Sequence, residues 1–219
     1  PSLKVSLFSS SLSYIDEKTA QIDEYIDKKN KEIEALKEWK KALIAHVVTK
    51  GLNTNAKMKD SGVSWIGEIP EHWKVKTLRH YLKMVSVKGF PDETLLSVVR
   101  EQGVIVRNTE SQEENHNFIP DDLSGYKLVK KGQFAINKMK SWQGSYGVSQ
   151  YQGIVSPAYY VCDLNFDNKR FFNEAIRSQV YIPFFTQYSK GIRGGHWDLF
   201  PIGLKSIPFI EPPVAEQQH

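Results

Sequence analysis

Residues 14–50 constrain this chain more than any other stretch. Ile15, Ile22, Lys29, Leu36 and Leu43 recur every seven residues, and Thr19, Ile26, Ile33, Lys40 and Val47 form a second series four residues further on. Together they are the a/d seam of a coiled coil, broken by two lysines. The spacing predicts one long helix over 14–51, roughly 55 Å at 1.5 Å per residue. Ser13 with Asp16 reads as its N-cap, Gly51 behind Lys50 as its stop, and the Ser-rich residues 1–13 as an irregular lead. Glu24 with Lys28 and Asp27 with Lys31 stand four residues apart in the favourable order. The run carries eight acidic and eight basic side chains, so the rod is neutral and is no phosphate-gripping arm. A lone helix of this size cannot bury Ile15, Ile22, Ile26, Ile33, Leu36, Leu43 and Val47. No comparable heptad run follows, so the helix requires a partner, from another chain or from a second copy of this one.

Beyond the helix the period changes. Residues 52–64 read as a polar connector, and Trp65, Ile66, Ile69, Pro70 and Trp73 as the aromatic start of a domain over 65–211, with both tryptophans in its core. Short apolar runs at 95–99, 104–106, 134–137, 154–155 and 158–161, punctuated by glycines, predict strands. Residues 171–181 read as a helix, 188–199 as a Gly-rich loop and 202–210 as a last extended segment. Pro208, Pro212 and Pro213 stop regular structure, and 212–219 reads as the first turn of an incomplete second helix. The fold class is α+β: one long heptad-patterned helix joined to a mixed α/β globular domain with an irregular sheet.

Composition narrows the function. A hydrophobic share of 40% over 219 residues supports one packed core plus an appendage. The net charge of +4 permits nucleic acid without demanding it. Cys162 is the single cysteine, which leaves no disulfide framework and no cysteine-based zinc site. No apolar run reaches the ~18–20 residues of a membrane span, and no signal peptide is recognisable, so a cytoplasmic location is expected.

Five segments are more specific. They are residues 14–23 (Tyr-Ile-Asp-Glu-Lys-Thr-Ala-Gln-Ile-Asp) running on to 45–53 (Ala-His-Val-Val-Thr-Lys-Gly-Leu-Asn), then 58–73 (Met-Lys-Asp-Ser-Gly-Val-Ser-Trp-Ile-Gly-Glu-Ile-Pro-Glu-His-Trp), 130–144 (Lys-Lys-Gly-Gln-Phe-Ala-Ile-Asn-Lys-Met-Lys-Ser-Trp-Gln-Gly), 153–159 (Gly-Ile-Val-Ser-Pro-Ala-Tyr) and 212–218 (Pro-Pro-Val-Ala-Glu-Gln-Gln). In this order they resemble the S (specificity) subunits of type I restriction-modification enzymes: the central conserved helix, the second target-recognition domain and the start of the distal helix. The resemblance implies a non-catalytic subunit that reads one half of a bipartite double-stranded DNA target. It also implies docking to methyltransferase (modification) subunits, with restriction subunits in the full complex. No cofactor is expected in this chain; S-adenosylmethionine and ATP would sit on the partner subunits. A whole S subunit has two recognition domains and two long antiparallel helices, whereas one of each is present here. The chain therefore reads as a half-subunit or fragment, and a homodimer through antiparallel helices would restore the pattern with twofold symmetry.

Two segments carry the chemistry expected of DNA contact. Lys138, Lys140, Ser141, Trp142 and Gln143 put two cations, a hydroxyl, an indole and an amide before Gly144. Lysines neutralise phosphate, hydroxyls position it, and a glutamine can pair with adenine in the major groove. The same residues also read as shared scaffold. In 190–198, glycines allow close backbone approach, Arg193 can grip guanine, and His196 and Asp198 can bond base edges. The alternative is a loop tucked down by Trp197. A third region supplies Arg107 and Asn108, beside the acidic Glu110, Glu113 and Glu114, which disfavour phosphate.

Enzyme readings fare worse. Residues 156–159 (Ser-Pro-Ala-Tyr) partly match the catalytic tetrapeptide of adenine methyltransferases but lack its second proline, and the chain has no Gly-x-Gly loop and no P-loop. Pro120-Asp121 with Asp167-Asn-Lys169 matches a metal-dependent nuclease pattern only at long separation. The six histidines show no metal-ligand spacing. Two functional classes remain: a DNA specificity module, and an assembly scaffold whose helix recruits partner subunits without independent DNA binding.

Overall fold

The computed structural model describes the backbone of residues 2–108, 119–193 and 196–218, and side chains at 13–108, 119–191 and 197–218. In chain order the helices are α1 (Ser2–Lys50), α2 (Lys169–Arg177), α3 (Ile182–Tyr188) and α4 (Pro201–Ser206). The strands are β1 (Met58–Asp60), β2 (Glu68–Pro70), β3 (Lys74–Thr77), β4 (Leu82–Val85), β5 (Leu96–Val99), β6 (Gly103–Val106) and β7 (Lys127–Val129), then β8 (Phe134–Ile136), β9 (Tyr146–Val148), β10 (Gly153–Val155), β11 (Tyr160–Leu164), β12 (Ser189–Arg193), β13 (His196–Leu199) and β14 (Pro208–Glu211). Short 3-10 turns occupy Leu78–His80, Ser141–Gln143 and Val214–Gln218. The class is the one predicted, a long helix followed by a mixed α/β domain of small irregular sheets. The chain divides into two compact units, 1–43 and 44–219.

The first unit is helix alone. α1 starts at Ser2, not at 14, which corrects the expected irregular lead over 1–13. Neither proline nor glycine interrupts residues 2–50, and a serine costs a helix only about 0.5 kcal/mol against alanine. A capping residue such as Ser13 therefore does not by itself start the helix. Ile15, Ile22, Ile26, Ile33, Leu36 and Leu43 are all exposed, between 43% and 58%. Three i,i+3 pairs, Lys29–Glu32, Lys37–Glu34 and Lys41–Glu38, lie along the helix at 2.7 Å. At such exposure they contribute little to stability.

The second unit takes in the last turns of α1. Val48 is buried, Val47 half-buried, and Ile44 packs against the core. The structural boundary thus falls before Ile44 rather than after Gly51. Gly51 ends the helix as expected, at φ +74°, with its N–H on the Val47 carbonyl at 2.9 Å. The expected connector over 52–64 is partly built: β1 pairs antiparallel with β2, Lys59 opposite Ile69.

The central sheet has the order β4-β11-β8-β9, with Cys162 opposite both Met84 and Phe134. The two-stranded pairs β5–β6, β7–β10 and β3–β14 stand beside it. Phe134, Tyr146, Phe172, Tyr181, Phe185 and Phe209 are fully buried. Tyr146 and Phe185 stack at 3.9 Å between ring centroids, and Phe134 meets Phe172 edge-on at 5.6 Å. Each such ring adds about 1.5–3 kcal/mol of burial.

Three further expectations are corrected. The helix over 171–181 is split: α2 ends at Arg177 and α3 begins at Ile182, with Ser178 closing the first. The loop over 188–199 is the hairpin β12–β13, Lys190 opposite Asp198. The extended segment over 202–210 is α4 followed by β14, because Pro201 at the first helical turn favours helix entry. At the C-terminal end a 3-10 turn is seated on the globular unit. Asn168 donates to the Gln217 carbonyl at 2.6 Å, and Trp73 donates to Glu216 at 3.0 Å.

Candidate nucleic-acid interface

The two segments singled out in the sequence come together. β8 ends at Ile136, and the chain turns through the 3-10 element Ser141–Gln143 before β9. Gly144 permits that turn: it sits at φ +92° with its N–H on the Ser141 carbonyl at 2.9 Å. β13 lies against it. Leu199 N–H donates to the Lys138 carbonyl at 3.0 Å, Lys138 Nζ meets Asp198 Oδ2 at 2.8 Å, and the Trp142 and Trp197 rings lie 6.0 Å apart.

Their environments separate the candidates. Lys140 is exposed, while Trp142 and Gln143 are half-buried. Ser141 is fully buried, with its hydroxyl 3.2 Å from the Lys138 carbonyl and 3.3 Å from Ser189 Oγ. It cannot position a phosphate, which corrects its assignment as a DNA contact and makes it a brace between turn and hairpin. Asp198 faces Lys138, so its carboxylate offsets that cation. Arg193 and His196 pair across the tip of the hairpin; their side chains lie outside the described residues. So do Glu110, Glu113 and Glu114.

Arg107 follows β6, half-buried, its N–H on the Leu95 carbonyl at 2.9 Å, and Asn108 beside it is exposed. Tyr159 links this region to the turn: its hydroxyl accepts from Asn137 Nδ2 at 3.1 Å, and its carbonyl accepts from Lys127 Nζ at 2.7 Å. Burial pushes the Tyr159 phenol above its ordinary value, against the pull of the Arg107 cation. Burial, reinforced by the Lys88 and Lys138 cations, pushes the Lys127 ammonium below its ordinary value. No ion pair among the described residues involves Lys88, Lys127 or Lys140. The sequence reading missed Lys88 and Lys127. A lone lysine carries no local signal, and only backbone pairing between their segments gathers these two residues.

Of the two tryptophans expected in the core, Trp73 is buried at 2% exposure, whereas Trp65 is 46% exposed. One face of Trp65 packs on Phe184 at 4.6 Å and the rest meets solvent. The tetrapeptide 156–159 forms a turn closed by Tyr159 N–H on the Ser156 carbonyl at 3.0 Å, leading into β11. Asn168 of the nuclease-like pattern caps α2, accepting from Phe171 N–H at 3.0 Å. Among the described residues no group of three His, Cys, Asp or Glu side chains could hold a metal ion, and no helix is long and apolar enough to cross a membrane. A cavity of about 280 Å³ beside Trp73 and Phe171 is lined mainly by apolar groups, with Glu216 already engaged by His72 and Trp73.

No family model matches the chain, and no curated protein matches it. Among solved structures it is similar to a chain from a study of complex assembly and conformational transition of the type I R-M system (14% identity, 68% of this chain and 40% of that one, TM-score 0.47). It is also similar to the HsdS subunit from Thermoanaerobacter tengcongensis (12% identity, 91% and 45%, TM-score 0.49). A third is the type I restriction-modification S subunit from M. genitalium (11% identity, 76% and 38%, TM-score 0.46). This chain spans less than half the length of each.

Proposed function

We propose that this chain is a DNA specificity module of the type I restriction-modification class. It reads one half of a bipartite duplex target, docks methyltransferase subunits and performs no chemistry itself. The observation that carries the reading is the joining of the 137–144 turn to the 189–199 hairpin. Lys138 is locked to Asp198 at 2.8 Å, the Trp142 and Trp197 rings lie 6.0 Å apart, and Lys140 and Gln143 belong to the same turn. A lysine for the backbone and an amide for a base edge stand on one turn braced by a hairpin, as duplex recognition requires. The motif resemblance at 14–23, 45–53, 58–73, 130–144, 153–159 and 212–218 supplies the class. S-adenosylmethionine and ATP belong to the partner subunits in this reading, and the cytoplasm is the compartment it fits.

The exposed seam of α1 favours a second reading, an assembly scaffold without DNA binding of its own. One selection experiment separates the two. The protein is used to enrich duplexes from a randomised pool, and the enriched sequence is compared with random duplex at increasing salt. A specificity module yields a defined half-site and a salt-sensitive preference of about a thousandfold or more. A pool that stays random after enrichment leaves only the scaffold.

A further inference from the structure

We propose that Lys88 and Lys127, held beside Tyr159, form a cradle for the phosphate backbone of duplex DNA, set beside the base-reading turn and hairpin. The inference rests on the DNA reading above and names the part of the interface that would fix the duplex in place. Backbone pairing brings the two together. Leu128 N–H donates to the Val87 carbonyl at 2.8 Å and Gly89 N–H to the Ser124 carbonyl at 3.1 Å, so Lys88 is held alongside Lys127 on β7. Lys127 Nζ is fixed by the Tyr159 carbonyl at 2.7 Å, and the Tyr159 hydroxyl is fixed by Asn137, the residue before Lys138. Tyr159 is thus a post that holds Lys127 at its backbone and is itself fixed to the 137–144 turn at its ring end.

The charge balance points the same way. Asp198 offsets Lys138 alone. Asp122, the carboxylate nearest in sequence to the Ser124 contact, is turned onto Ser124 N–H at 2.8 Å. Lys127 is half-buried; burial first, and the Lys88 and Lys138 cations second, push its ammonium below the ordinary value. A protein seldom holds cations together in this way without a use for the field they make. A bridging anion relieves the repulsion, and Lys127 has spent only one of its three donors on protein. A duplex backbone supplies anions at a repeating spacing and releases counterions as each lysine engages.

Binding of a random-sequence duplex, followed by fluorescence anisotropy across a salt series, tests the cradle. Lys88→Gln and Lys127→Gln are each expected to flatten the slope of log affinity against log salt by about 0.9, and the double variant by about twice that. Random and enriched duplexes should lose affinity equally. Lys127→Arg should retain the slope. Lys88 is exposed, so its variant keeps the test sound if Lys127→Gln misfolds. Unchanged slopes for Lys88→Gln and for a folded Lys127→Gln overturn the cradle and leave the DNA reading standing. A loss confined to the enriched duplex overturns it too, by making these residues base readers. Failure of the unmodified protein to bind any duplex overturns both.

Discussion

Lys140 and Ser141 are neighbours in sequence and opposites in environment: one is exposed, the other has no exposed surface at all. A sequence lists both as polar and adjacent, and only the packing of β12 over the turn decides which can meet a ligand. The same logic governs Tyr146, whose ring stacks on Phe185 while its hydroxyl meets no hydrogen-bond partner among the described residues. A buried hydroxyl without a partner costs about 1–3 kcal/mol. Tyr146→Phe should therefore raise stability by about 1 kcal/mol in urea unfolding; a loss of similar size would mean that the hydroxyl is satisfied. Glu216 behaves differently. Burial raises its carboxyl, hydrogen bonds from His72 and Trp73 lower it by more, and the net lies below the ordinary 4.5. A carboxylate depressed in the folded state adds stability above its unfolded value and loses it as pH falls through the folded one. Glu216→Gln should therefore be less stable than the unmodified protein at neutral pH, with the gap closing below about pH 4.5. A gap that persists at pH 3 would assign the effect to packing instead of charge.

At the scale of elements, the seam of α1 contains its own orientation rule. In a parallel pair of copies, Lys29 would face Lys29 and Lys40 would face Lys40 inside the seam. Antiparallel pairing about the middle of the run sets Lys29 against Ile33, Lys40 against Ile22 and Ile26 against Leu36. On the flanks it sets Tyr25 against Trp39 and Asp23 against Lys37. Like charges are separated and an opposite pair is gained, so antiparallel pairing is the arrangement the sequence favours. Ile26→Cys combined with Leu36→Cys should form disulfide-linked dimers, whereas Ile26→Cys alone should not. The native Cys162 is buried and gives no background. Cross-linking by Ile26→Cys alone would sink the antiparallel arrangement, and an unchanged solution mass for Ile26→Asp with Ile33→Asp would sink pairing altogether. The seam was legible because a seven-residue period needs no tertiary information. Residues 188–199 were not. Their glycines read as a loop, yet Ser189–Arg193 and His196–Leu199 pair as antiparallel strands. Gly203 gave no signal either: it sits inside α4, where a Cβ would come within 2.9 Å of Tyr188 Cβ, so close packing accounts for a glycine there.

For the whole molecule, pairing of two copies through α1 would turn the helices into a spacer between the recognition units of the proposed function. Two identical recognition units related by a twofold axis would read a split palindrome, each half-site the inverted copy of the other. The spacing between halves would then follow the length of helix overlap. Seven residues inserted after Asn30 keep the a/d phase and lengthen each helix by about 10.5 Å. At about 3.4 Å per base pair, the preferred spacer should grow by about three base pairs, with the half-site sequences unchanged. Four residues inserted at the same place shift the seam by half a repeat and should weaken the pairing itself, visible as a fall in solution mass from about twice 25.1 kDa toward that of one chain. Duplex enrichment with both variants reads the two effects separately. A spacer that ignores the seven-residue insertion would show that the helices do not set the distance, and would shift the role of α1 from ruler to recruitment surface.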